Sequence, residues 1–212
     1  MGARYLDHEA RAAFKQAIEA IEVTSSVEVV VAMRRRSASH LHANLLVGVA
    51  VAFASLAVML FSEHPFGLVA ILVDPFIVGA LATAAVELLP GVKRILTRDA
   101  TRTRQVANAA RATFVERGVH NTMDRSGVLV YISWLEQKIA LVGDSGLERA
   151  FTLEALAAAE HALNAAMPEG GAAVARALES YKTALAVVMP RRAEDLNELP
   201  NAIDDDMEDR SS

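Results

Sequence analysis

The chain has 212 residues, 53% of them hydrophobic, a mean hydropathy of +0.27 and a formal charge of −5. It contains no cysteine, which excludes disulfides, thiol catalysis and cysteine-ligated zinc or iron–sulfur centres. From Arg191 onward eight acids face three bases, leaving eighteen of each elsewhere, so the acidic surplus belongs to the tail and nothing points to nucleic acid.

The N-terminal segment, MGARYLDHEARAAFKQ, is charged and lacks an apolar core, so it does not read as a secretory signal. Leu6, Ala10, Phe14, Ala17, Ile18 and Ile21 recur at helical spacing, which predicts an amphipathic helix over 6–21. Thr24, Ser25 and Ser26 break it, and Val27 to Met33 reads as a buried strand.

Two apolar stretches follow. Leu41 to Phe61 has no Asp, Glu, Lys or Arg, and Phe66 to Leu89 has acids only at Asp74 and Glu87. A run of about 18 apolar residues spans a hydrocarbon core of roughly 30 Å as a helix. With four residues between them, the two predict a transmembrane hairpin within 37–97. Arg34, Arg35 and Arg36 precede it, Lys93, Arg94 and Arg98 follow it, and the turn carries no base. The positive-inside rule then predicts an integral protein of a bacterial-type inner or plasma membrane with both termini cytoplasmic. Small residues at Gly48, Ala52, Gly79, Ala80, Thr83 and Ala84 would let the two helices pack closely. Asp74 and Pro75 are the functional candidates in the span. An ionisable group at that depth costs about 2.5–3.5 kcal/mol, and Pro75 should kink the helix. Two helices cannot enclose a pore, so the pair points to self-association or to a membrane-protein partner.

Beyond the hairpin, Val106, Ala109, Ala110, Phe114 and Val115 predict a helix over 100–117, closed by Gly118. Gly127 to Ser133 and Lys138 to Val142 read as strands of an antiparallel hairpin, and helices are expected near 152–166 and 170–188. Past Pro190 the composition favours disorder. The organisation is therefore a split α/β domain (1–36 and 98–190), an inserted hairpin (37–97) and a disordered acidic tail (191–212).

The segment Phe114, Gly118-Val119, Thr122, Arg125 to Ser133 and Val142-Gly143-Asp144-Ser145-Gly146-Leu147-Glu148, with Ile21 to Val31 upstream, resembles the TPM domain. The resemblance is to the membrane-bound version, with a hydrophobic hairpin after the first strand. It implies a small mixed sheet sandwiched by helices, a calcium (Ca2+) site, and an acid-phosphatase activity described for some members. Other members look like accessory proteins of membrane complexes. The family's usual Gly-aromatic-Gly-Leu-Glu loop is replaced here by Asp144 to Glu148, which adds a carboxylate and removes an aromatic ring.

Asp124, Asp144 and Glu148 are the metal candidates, since hard cations want several oxygens and strand-end loops can supply them. The competing reading has Asp144 capping a helix and Glu148 facing water. Gly146 is expected to let that loop turn with positive φ. No phosphate-cradling loop or histidine motif is present, and no residue is assigned as catalytic. The expected function is a membrane-anchored, calcium-binding TPM-like binding or accessory module beside a membrane protein complex. The alternative is a membrane-anchored, metal-dependent phosphomonoester hydrolase.

Overall fold

The computed structural model describes residues 5–37, 41–87, 98–195, 198–199, 201 and 203–206. Its chain forms two compact units, Met1–Ser37 with Arg102–Ser212, and Ala38–Thr101. Lys93 and Arg94 lie outside the described residues.

In the first unit, α1 (His8–Thr24) starts where the Asp7 carboxylate accepts the Ala10 amide at 2.8 Å. It buries Ala10, Phe14, Ala17, Ile18, Ile21 and Glu22 and ends at Thr24, three residues beyond the expected boundary. β1 (Glu28–Arg34) follows. After the insertion come α4 (Asp99–Glu116), β2 (Gly127–Ser133) and β3 (Lys138–Gly143). The chain closes with α5 (Ser145–Ala150), α6 (Leu153–Ala166), α7 (Gly171–Glu179), α8 (Lys182–Val188) and a two-residue β4 (Asp204–Asp205). Gly118 has φ 66°, which a residue without Cβ adopts cheaply, and it closes the turn after α4 as expected.

The protein is thus mixed α/β with a four-stranded mixed sheet ordered β3-β2-β1-β4. β1 runs parallel to β2 from Glu28↔Gly127 to Arg34↔Ser133, and β2 runs antiparallel to β3. Strand alternation divides the apolar residues between two cores. Val29, Val31 and Met33 join Val128, Val130 and Ile132 in a core with Phe14, Ile18, Leu163, Val174 and Leu185 of the flanking helices. Val30, Ala32, Leu129 and Tyr131 face the other way, onto Val106, Ala110 and Phe114 of α4. Both faces of β1 and β2 are covered, so they read as continuous apolar runs rather than alternating ones.

Of the segment beyond Pro190, expected to be disordered, the described residues 191–195, 198–199, 201 and 203–206 include several that contact this unit. Asp204 and Asp205 pair in parallel with Ala32 and Met33 of β1. The reason is pairing: Asp204 and Asp205, part of the acidic surplus, meet Arg11, Arg34 and Arg117 from elsewhere in the fold.

The second unit holds α2 (Leu41–Phe61) and α3 (Leu68–Glu87), packed against each other. A Cβ placed on Gly48 would lie 2.7 Å from the Gly79 carbonyl oxygen, so the backbones touch there. Ala52 and Thr83 belong to the same seam, whereas Ala80 and Ala84 are exposed. Leu46, Phe53, Leu60, Leu72, Phe76 and Leu81 also face outward. Both helices are long and apolar enough to cross a membrane, with 17% of each candidate span buried.

Gly146 does not have positive φ; its role is steric. A Cβ there would sit 2.2 Å from the Asp124 carbonyl oxygen and 2.6 Å from that of Arg125. Gly146→Ala should therefore destabilise the α/β unit by about 1–3 kcal/mol. Urea unfolding of the full chain in detergent micelles reads this, and an unchanged midpoint would contradict it.

Candidate functional site

The metal candidates lie where the chain leaves β3 and where it enters β2. Asp144 is the N-cap of α5, its Oδ1 accepting the Ser145 amide at 2.6 Å. Its Oδ2 is buried with no hydrogen-bond partner; the nearest cation is the Arg125 guanidinium at 3.8 Å. Arg125 itself has φ 54°, a strained conformation for a residue with a Cβ. That twist aims its carbonyl at the start of α5, where it accepts the amides of Gly146 and Leu147 at 3.0 and 3.2 Å. Its guanidinium donates to the His120 carbonyl at 3.0 Å. Asp124 is engaged elsewhere, its Oδ2 2.9 Å from Arg192 Nη1. Glu148 lies in the first turn of α5 and is exposed.

The three carboxylates are therefore not gathered, and no group of three or more His, Cys, Asp or Glu side chains able to hold a metal occurs among the described residues. The fit to calcium is partial. Asp144 offers one buried oxygen that accepts no hydrogen bond, but calcium takes six to eight oxygen ligands, and Asp124 is already paired with Arg192.

The structure brings together other carboxylates that the sequence reading passed over. Glu22, near the end of α1, is 5% exposed. Its Oε1 accepts the Val29 amide at 3.2 Å and its Oε2 accepts Asn201 Nδ2 at 2.7 Å. Burial, with a smaller push from Glu28, raises its carboxyl to about 7. Glu28 opens β1 and is 8% exposed, its Oε2 accepting the Leu199 amide at 3.3 Å; burial raises it too. Arg191 Nη1 donates to the Glu22 carbonyl, and Glu198 Oε2 accepts the Met123 amide at 2.9 Å. Asp195 accepts the Arg192 amide at 2.7 Å and the Ser26 hydroxyl, and these bonds hold it below the usual carboxylate range. A small cleft lined by Ser26, Glu28, Met123, Asp124, Ser126, Glu194, Asp195 and Glu198 results. One signal was legible: Glu28 is an acid inside a strand read as buried. Glu22 carried none, because its partner Asn201 lies in the segment read as disordered.

A second polar group sits at the opposite end of β2. Glu136, 1% exposed, accepts the Ser37 amide at 3.2 Å on each oxygen and the Ser133 hydroxyl. Ser37 Oγ donates to Ser133 Oγ at 2.7 Å, and Arg102 Nη1 reaches the Glu136 carbonyl at 3.4 Å. Ser37 and Arg102 bound the insertion, so one residue ties both its ends. Of the basic candidates flanking the hairpin, Arg34 has its guanidinium on Asp204, Arg35 and Arg36 are exposed at the end of β1, and Arg98 is exposed before α4. In α3, Asp74 is exposed and Pro75 is buried, and the helix is continuous through both.

No protein-family model matches the chain, and no curated protein matches it. Among solved structures it is similar to the NMR structure of BA42 protein from the psychrophilic bacterium Bizionia argentinensis. Identity is 18%, coverage is 95% of each chain and the TM-score is 0.57. The likeness is one of fold.

Glu22 generates a pH prediction. Its folded-state value of about 7 lies above the ordinary 4.5 expected of the unfolded chain, so folding takes up a proton between them. Its contribution is full below about pH 4.5 and is lost as pH rises through 7, by at most about 3 kcal/mol. Glu22→Gln should flatten the fall in melting temperature between pH 5 and 8, read by circular dichroism. An identical pH profile in the variant would refute the assignment.

Proposed function

We propose that this chain is a membrane-anchored binding or accessory module of the TPM type, its α2–α3 hairpin crossing a bilayer and its α/β unit on the cytoplasmic side. The observation that carries the reading is the outward apolar surface of both helices around a seam of small residues. A core helix of a soluble protein hides such residues; here 17% of each span is buried. Arg34, Arg35, Arg36 and Arg98, with Lys93 and Arg94, favour the cytoplasmic orientation. Asp74, exposed on an apolar helix, is best accommodated in lipid against a polar group of another membrane protein or a second copy. The chain's own lack of thiols gives a clean test. The protein should resist carbonate extraction. In intact cells Glu63→Cys should react with an impermeant maleimide, whereas Ser180→Cys should react only after lysis. Release by carbonate sinks the anchor; the reverse labelling pattern sinks the orientation.

Calcium dependence is a narrower proposal within the same reading, supported by the buried Asp144 Oδ2, which accepts no hydrogen bond. Asp144 would anchor the ion and Asp124 would join once Arg192 withdraws, with Glu148 on the neighbouring turn. Calcium there would neutralise charge and order the loop between β3 and α5. Titration of the full chain in nanodiscs should shift the amide resonances of 124, 144 and 148. Unmoved resonances at millimolar calcium would remove the ion from the reading. The hydrolytic alternative gains no observation of its own.

A further inference from the structure

β1 pairs along its whole length with β2, and among the described residues its other edge pairs with a strand of two residues. An open strand edge is a template for another chain, and proteins cover or charge such edges. Here the cover is short and its chemistry is specific. Asp204 is held from both sides, Oδ1 by Arg117 Nη2 at 2.6 Å and Oδ2 by Arg34 Nη2. Arg34 Nη1 also donates to the Asp204 carbonyl at 2.9 Å. Asp205 Oδ2 lies 2.7 Å from Arg11 Nη1. Asp206 Oδ1 accepts the Arg35 amide at 2.7 Å, and its own amide reaches the Met33 carbonyl at 3.3 Å. Ile203, just before them, packs against the core.

Three consecutive carboxylates are thus held by four donors: Arg34 of β1 and Arg117, just after α4, on Asp204, Arg11 of α1 on Asp205, and the Arg35 amide on Asp206. Charge-assisted bonds of this kind are strong and geometrically selective. Main-chain pairing supplies affinity while side-chain contacts supply the choice of sequence. Ile203 supplies an apolar anchor.

We propose that the outer edge of β1, with Arg11, Arg34 and Arg117, is a docking site for an extended acidic segment of a partner protein. The segment it fits has an apolar residue followed by consecutive aspartates, and the chain's own residues 203–206 occupy the site in cis. Tethering gives the tail a high effective concentration, so a partner enters by exchange when the tail is loosened or outcompeted. The inference deepens the binding-module reading by naming the partner's chemistry. It does not depend on the bilayer, so its failure leaves the extraction and labelling results untouched.

The probe is a fluorescent synthetic peptide of residues 199–209, used with the full chain in nanodiscs. Fluorescence anisotropy should show at least tenfold tighter binding to a variant carrying Asp204→Asn, Asp205→Asn and Asp206→Asn than to the unaltered chain. Adding Arg11→Gln and Arg117→Gln to that variant should lose the gain, and a peptide with asparagines for the three aspartates should not bind. Equal binding by all proteins, or by both peptides, overturns the proposal. The unaltered chain provides a second measurement that needs no variant. Millimolar peptide should expose the segment between Arg192 and Asp206 to limited proteolysis while β1 amides stay protected from exchange. Unchanged cleavage overturns exchange. A concentration-dependent dimer in sedimentation that the peptide dissolves would assign the edge to a second copy's tail, overturning a separate partner.

Discussion

The parallel pairing of β1 with β2, seven residues against seven, is the constraint on which the rest of the α/β unit depends. Parallel neighbours cannot be joined by a tight turn and need a crossover, which must cover a face of the sheet. Here the crossover includes α4, which seals the face carrying Val30, Ala32, Leu129 and Tyr131. It also includes the apolar hairpin, so the insertion sits in a connection that already had to be long. Nothing in the ladder is disturbed, because Ser37 and Arg102, the two ends of the insertion, both meet Glu136.

The same strand organises the electrostatics. At its start Glu28 and Glu22 are withdrawn from water and held by amides, and at its end Arg34 faces Asp204. The C-terminal segment supplies partners at both places, Leu199 and Asn201 to the buried acids and Asp204 to Asp206 to the arginines. A segment whose composition reads as a solvated tail is thereby a structural element. Buried acids are costly alone, and a strand edge is adhesive when bare. The tail answers both at once, with hydrogen bonds at one end and a short strand at the other.

Much of this unit was legible in the sequence. The apolar runs of β1, β2 and β3, the link from Trp134 to Gln137, and the breaks at Gly118 and near Gly170 all lie close to where periodicity and turn chemistry put them. These are local signals, written by burial on two faces and by φ preferences. The expectations that failed depended on distance. Disorder past Pro190 was inferred from an acidic composition short of large apolar residues, which is blind to the pairing of Asp204 and Asp205 with Arg11, Arg34 and Arg117, nearly ninety or more residues away. Convergence of Asp124 with Asp144 was inferred from strand-end placement, but Arg192, far along the chain, takes Asp124 instead. Gly146 was read for its backbone freedom, whereas the carbonyls of Asp124 and Arg125 leave it no room for a Cβ. None of these contacts has a sequence spacing that a pattern could reveal.

The two-residue β4 has a consequence in time. A ribosome adds roughly 5–20 residues per second, so β1 emerges several seconds before β2 can pair with it. The hairpin is synthesised in that interval, and β2 then closes one side of β1. Its other side waits until Asp204 and Asp205 leave the ribosome. The occupation of that edge therefore comes after the core-forming segments have emerged, and any chain cut short before Asp204 is released with the edge still adhesive.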